Sequence, residues 1–220
     1  MTRRAYLAGQ WYPSDETSCR NAIIEHGESQ SVASGAWRAT IVAHAGWFYS
    51  GDAMGVGYQA LAQSHSGAEL VIVFGSHRGP KGPNTLFRGE GWETPLGLAK
   101  TDQEVAAELF SKLSFMPEPE APQRPDNAVE VQMPFIRHFF PHAQIVMMGL
   151  AASVDAIDIG KSVGEICQKM GRDTVFVGST DLTHYGPNYG FMPEGMGEKA
   201  VEWVRNQNDQ GFLEALEASQ

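Results

Sequence analysis

The chain has 220 residues, of which 42% are hydrophobic and 19% charged, enough apolar material for a sizeable packed core and a balance unlike that of a disordered chain. Sixteen Lys and Arg stand against 26 Asp and Glu, a formal net charge of -10 that repels nucleic acid and anionic lipid surfaces alike. Those numbers argue for one α/β domain over the whole length, with no nucleic-acid partner.

From the N-terminus, Arg3 and Arg4 precede Ala5-Tyr6-Leu7-Ala8-Gly9-Gln10-Trp11, where Gly and Gln interrupt any apolar region before it reaches signal-peptide length. Cys19 and, far downstream, Cys167 each fall inside a helical pattern and read as small buried hydrophobes rather than a disulfide or zinc framework. With no leader expected, the reading is a cytoplasmic protein.

Four short apolar runs follow in order: Thr40-Ile41-Val42-Ala43, Leu70 to Phe74, Ile145 to Met148, and Val175-Phe176-Val177. They are mostly β-branched and lack polar alternation, so they are predicted to be central strands covered on both faces. The longest is far below the roughly 20 residues that span a bilayer, so no membrane segment is expected.

Helical patterns lie between these runs. Ser50 and Gly51 are placed to open a helix through about His65, and Thr101-Asp102-Gln103-Glu104 has capping-box spacing ahead of Val105, Leu109 and Leu113. Ile159, Val163, Ile166 and Met170 give another apolar face. Pro117, Pro119, Pro122 and Pro125 mark an extended loop. Alternating strands and helices predict a mainly parallel central sheet with helices on both faces.

Ligand sites in such sheets lie beyond the carboxyl ends of the strands. The first run leads into His44-Ala45-Gly46, the second into Gly75-Ser76-His77, and the fourth into Ser179-Thr180-Asp181-Leu182-Thr183-His184-Tyr185. Three histidines and an aspartate after different strands suggest a metal site, since imidazole suits iron, copper, zinc and nickel, and two histidines with a carboxylate form a facial triad. His26 and His65 are expected to be solvated, while His138 and His142 flank a helix end. Trp47, Phe48, Tyr49 and Tyr185 serve either as core or as the lining of an apolar pocket.

The ordered set His44-Ala45-Gly46, Ser50-Gly51, Gly75-Ser76-His77, Glu130-Val131-Gln132-Met133-Pro134-Phe135 and Ser179 to Gly186, with Ala8-Gly9-Gln10-Trp11-Tyr12-Pro13 ahead of it, resembles the Memo family across nearly the whole chain. That resemblance implies a fold similar to the class III extradiol ring-cleavage dioxygenases. It also implies His44 and His77 as ligands of iron or copper, with Asp181 and His184 beside them in the pocket; a divalent metal is expected, iron first and copper or zinc after it, and His184 and Asp181 are the expected catalytic residues. Bacterial members often accompany radical-SAM proteins. Two departures are visible. Asp126-Asn127-Ala128 stands where the family has Asp-His-Ser, so an amide replaces a pocket histidine, and the family's later Cys-Gly segment, whose cysteine is a ligand, has no counterpart. Asp181 or His184 could complete a three-ligand set, and Glu130, expected at a helix start, is the poorer candidate.

Three functions stay open. One is a mononuclear non-haem iron enzyme acting on a planar or phenolic molecule with dioxygen, using His184 as acid or base. Another is a non-catalytic scaffold for peptide or metal-handling contacts, favoured by Asn127. The third is a zinc hydrolase, which leaves the aromatic residues unexplained.

Overall fold

In chain order, the computed structural model contains strand β1 (Thr2–Arg3), helix α1 (Glu16–Ile23) continued by a π turn through Glu28, β2 (Ala39–Val42), α2 (Trp47–His65), β3 (Leu70–Phe74) and β4 (Thr85–Leu86). There follow β5 (Gly91–Trp92), β6 (Ala99–Lys100), α3 (Gln103–Lys112), β7 (Met116–Pro117), α4 (Asn127–Glu130) and α5 (Met133–Phe139). The last are β8 (Gln144–Gly149), α6 (Asp155–Lys169), β9 (Thr174–Ser179), α7 (Glu198–Trp203) and α8 (Gln210–Glu217). The structure describes residues 1–32, 34–119 and 126–218, so Pro122 and Pro125 of the predicted loop lie outside the described residues. Two compact units result, Met1–Thr180 and Asp181–Gln220.

The first unit is built on a six-stranded sheet of order β2-β9-β3-β8-β4-β7, parallel throughout except between β4 and β8. All four predicted runs are strands of this sheet. A smaller sheet of order β1-β5-β6 was not predicted, because two-residue strands carry no readable period.

Strand β3 is buried from Leu70 to Val73, and its alternation splits the apolar residues between two cores. Val71 and Val73 join Cys19 and Ile23 of α1, Met54, Tyr58 and Leu61 of α2, and Phe135 and Ile136 of α5. Leu70 and Ile72 join Val105 and Leu109 of α3 and Val163 and Cys167 of α6. Each such side chain contributes roughly 2 kcal/mol of transfer free energy. Helices therefore cover both faces, as the pattern required. Strand β2 corrects the expectation of a central strand: it is the edge of the sheet, and Ile41 is half exposed.

Local signals shift by a few residues. Helix α2 starts at Trp47 rather than Ser50, because extended Gly46 acts as its N-cap and Trp47 N–H bonds back to Trp11 O at 2.9 Å. Helix α3 is capped by Asp102, not Thr101; its carboxylate accepts from Glu104 N and Val105 N. Cys19 and Cys167 are free and buried, as read.

In the second unit, α7 continues through a π turn, Val204–Asp209, into α8. Asp209 accepts from Thr183 N at 3.2 Å, and Tyr185 packs against Phe191 and Trp203. No helix among the described residues is long and apolar enough to cross a membrane.

Candidate metal centre

β2 and β3 lie on either side of β9 and run parallel to it, so all three present their carboxyl ends at one edge. His44 lies two residues beyond the end of β2 and His77 three beyond β3, and their ring centroids are 4.9 Å apart at an interplanar angle of 68°. Ser179, the last residue of β9, sits between them in sequence register, opposite Val42. The pairing of two imidazoles distant in sequence is therefore a direct product of strand order.

Each ring is tied by Nδ1 to a protein oxygen. His44 is buried, and its Nδ1 lies 3.1 Å from Ser179 Oγ. His77 is half exposed, and its Nδ1 lies 3.1 Å from Asp126 Oδ1. Asp126 also caps the turn α4 by accepting from Ala128 N at 3.0 Å, so the carboxylate is held by the backbone it caps. Gly75, at the end of β3, is required by close approach: a Cβ there would stand 2.9 Å from Ala128 O and 3.1 Å from Ser179 Cβ.

Backbone braces complete the site. Asn127 Nδ2 donates to His44 O at 2.8 Å, and Gln132 Nε2 donates to Ala43 O at 2.8 Å. The Asn127 amide thus holds the backbone of His44. Asp126, Gln132 and Ser179 stand inside the sequence motifs, but their residue types alone give them no part in orienting the rings. The signal that could have found them is their place at a strand end or helix cap beside each histidine.

In the first unit, Glu130, Trp47 and Tyr49 are engaged with other partners. Glu130 ends α4 rather than starting a helix, is buried, and accepts from Leu7 N at 2.5 Å and Tyr12 Oη at 3.1 Å. Burial pushes its carboxyl above the usual range, and these two donors partly oppose that rise. Trp47 belongs to the core, donating Nε1–H to Val131 O and packing on Tyr12 and Phe135. Tyr49 and Phe48 are exposed and form an edge-to-face pair. In the second unit, Asp181 Oδ2 and His184 Nε2 are 3.1 Å apart, His184 stacks obliquely on Tyr189, and Tyr185 Oη donates to Gly195 O at 3.0 Å.

Two histidines expected in solvent are instead engaged. His26 Nδ1 lies 2.6 Å from Asp52 Oδ1, with the ring edge-on to Trp47. His65 is mostly covered, with Asp173 4.0 Å away. His138, at the predicted helix end, pairs with Glu28 at 2.7 Å.

Among the described residues, no set of three or more His, Cys, Asp or Glu is arranged to hold a metal. Of the predicted ligands the structure brings His44 and His77 together, each imidazole with a protein oxygen beside its Nδ1.

The family described as Memo-like protein matches residues 3–220. A MEMO1 family protein of Thermococcus onnurineus is 30% identical over 206 residues, covering 88% of this chain and 69% of that protein. One from Methanothermobacter thermautotrophicus is 30% identical over 222 residues, covering 96% and 79%. One from Ignicoccus hospitalis is 30% identical over 230 residues, covering 98% and 80%. With a mainly parallel α/β sheet that brings its two strand-end histidines together, and with similarity across its length, this chain belongs to the Memo-like protein family.

Proposed function

We propose that this is a metal-binding Memo-like protein in which His44 and His77 hold a divalent ion, iron in preference to copper or zinc. The observation that carries the reading is the pair of imidazoles 4.9 Å apart, each with Nδ1 committed to a protein oxygen. Such a commitment directs metal bonding to the other ring nitrogen and holds the ring's orientation. The bound ion would supply redox or Lewis-acid chemistry toward dioxygen and a small planar molecule, the dioxygenase-like activity that the fold suggests. The chain's own groups bind and orient. Ser179 and Asp126 steer the rings, while Asn127 and Gln132 hold the backbone that carries His44. In the second unit the Asp181–His184 pair is assigned proton handling, with the aspartate orienting the imidazole. Two free, buried thiols and the acidic surface support a cytoplasmic protein that avoids nucleic acid and membrane.

One observation favours a second reading, a non-catalytic scaffold for peptide or metal-handling contacts: Asn127 is used as a brace on His44 O and offers no acid-base group.

His77→Ala decides on the metal. His77 is half exposed, and its partly exposed partner Asp126 keeps the Ala128 N–H, so removing the ring is expected to change stability by less than about 1 kcal/mol. Metal analysis of the protein as purified should show loss of the ion, while the Tm of the metal-free variant stays close to that of the metal-free wild type. Unaltered metal content in the variant would overturn the assignment.

A further inference from the structure

Ser179 has one hydroxyl proton and two lone pairs, and the structure gives it three neighbours. Ala128 O is within hydrogen-bonding distance and only accepts, so it takes the proton. Gln132 Nε2 lies 3.1 Å away. That the amide nitrogen, and not Oε1, faces Ser179 is settled twice: Nε2 also meets the acceptor Ala43 O at 2.8 Å, and the buried Tyr58 Oη donates to Oε1 at 3.1 Å. Gln132 therefore uses one lone pair of Ser179. The remaining lone pair faces His44 Nδ1 at 3.1 Å, which must then carry a proton.

We infer that Ser179, locked between Ala128 and Gln132, is the positioning residue that fixes Nδ1 as the protonated nitrogen of His44 and thereby directs a metal ion to Nε2. The chain of bonds runs from Tyr58 in α2 through Gln132 to the end of β9, so a core tyrosine and a strand-end serine define the chemistry of an imidazole on a neighbouring strand. All of these groups are buried, and no rotation of the hydroxyl satisfies Ala128 O and Nδ1 together. His77 is independent of this chain, because its Nδ1 faces Asp126. The consequence for metal binding rests on the two-histidine reading, whereas the protonation pattern does not.

The test uses long-range proton–nitrogen NMR of the metal-free full chain at a pH where imidazoles are neutral, followed by zinc titration. In the wild type, His44 is expected as the Nδ1–H tautomer. In Ser179→Ala it should pass to the Nε2–H form that solvated imidazoles favour, with the His77 tautomer unchanged, and zinc affinity should fall about tenfold or more. A wild-type spectrum showing Nε2–H on His44, or an unchanged tautomer in a folded Ser179→Ala protein, overturns the inference; the wild-type spectrum alone suffices if the variant fails to fold. The expected tautomers with no zinc bound by either protein would confirm Ser179's role and refute the metal reading instead.

Discussion

Glu130 shows how far burial reassigns a residue that looks chemically available. Its carboxylate is buried between the N-terminal segment and α4, and desolvation raises its pKa above the ordinary glutamate value. A carboxyl whose folded pKa exceeds its unfolded pKa binds more protons in the native state, so its contribution is full below the unfolded value and is lost as pH rises through the folded one. Denaturation of the wild type and Glu130→Gln from acid to neutral pH should show the wild type losing stability relative to the variant as pH rises across that window. Parallel curves would show that Glu130 is ionised without penalty. Arg3 is the matching cationic case. It is buried, stacks on Phe87 and Trp92 and reaches Pro119 O, and burial lowers its pKa. Neither residue announces burial in the sequence, because a charged letter ordinarily reads as solvated.

Among the elements, the strands were the most legible, since β3, β8 and β9 are apolar on both sides and length alone separates them from helices. Helix starts were less so, as Gly46 and Asp102 show, because a cap is chosen by backbone conformation and not by residue type alone. Helix α2 carries a further consequence. Gly55 is a helical glycine, and helix propensity by itself says that alanine should stabilise it by about 1 kcal/mol. The π turn after α1 lies against it, however, and a Cβ at Gly55 would stand 2.4 Å from His26 O and 2.6 Å from Gly27 N. Both are backbone atoms and cannot swing aside. Gly55→Ala is therefore expected to destabilise the protein by about 1–3 kcal/mol in chemical denaturation, the usual cost of overpacking. A variant as stable as the wild type would mean that the π turn gives way.

At the scale of the whole molecule, the two cores share one sheet, and the two cysteines report on them separately. Cys19 belongs to the core that contains α1, α2 and α5, and Cys167 to the one that contains α3 and α6. Burial pushes their thiols up to about 12 and about 11, so neither should react with an alkylating reagent in the native state. Because β3 feeds alternate side chains into both cores, the two thiols are expected to become reactive at the same denaturant concentration. Separate midpoints would show that one layer opens without the other.

The amino-acid sequence by itself determined the layered α/β class, the four main strands, the amphipathic faces of α3 and α6, the placement of both cysteines and the strand-end positions of His44 and His77. These follow from periodicity and run length, which are local quantities. Strand order was decided only by the tertiary structure, and strand order is what makes His44 and His77 neighbours across β9. The same holds for Tyr58, for Asp126 and Gln132, and for Ser179, which come from three separate stretches of chain to orient the two rings. A hydrogen bond between residues far apart in sequence leaves no period in it, so these partners become visible only when the sheet has brought them together.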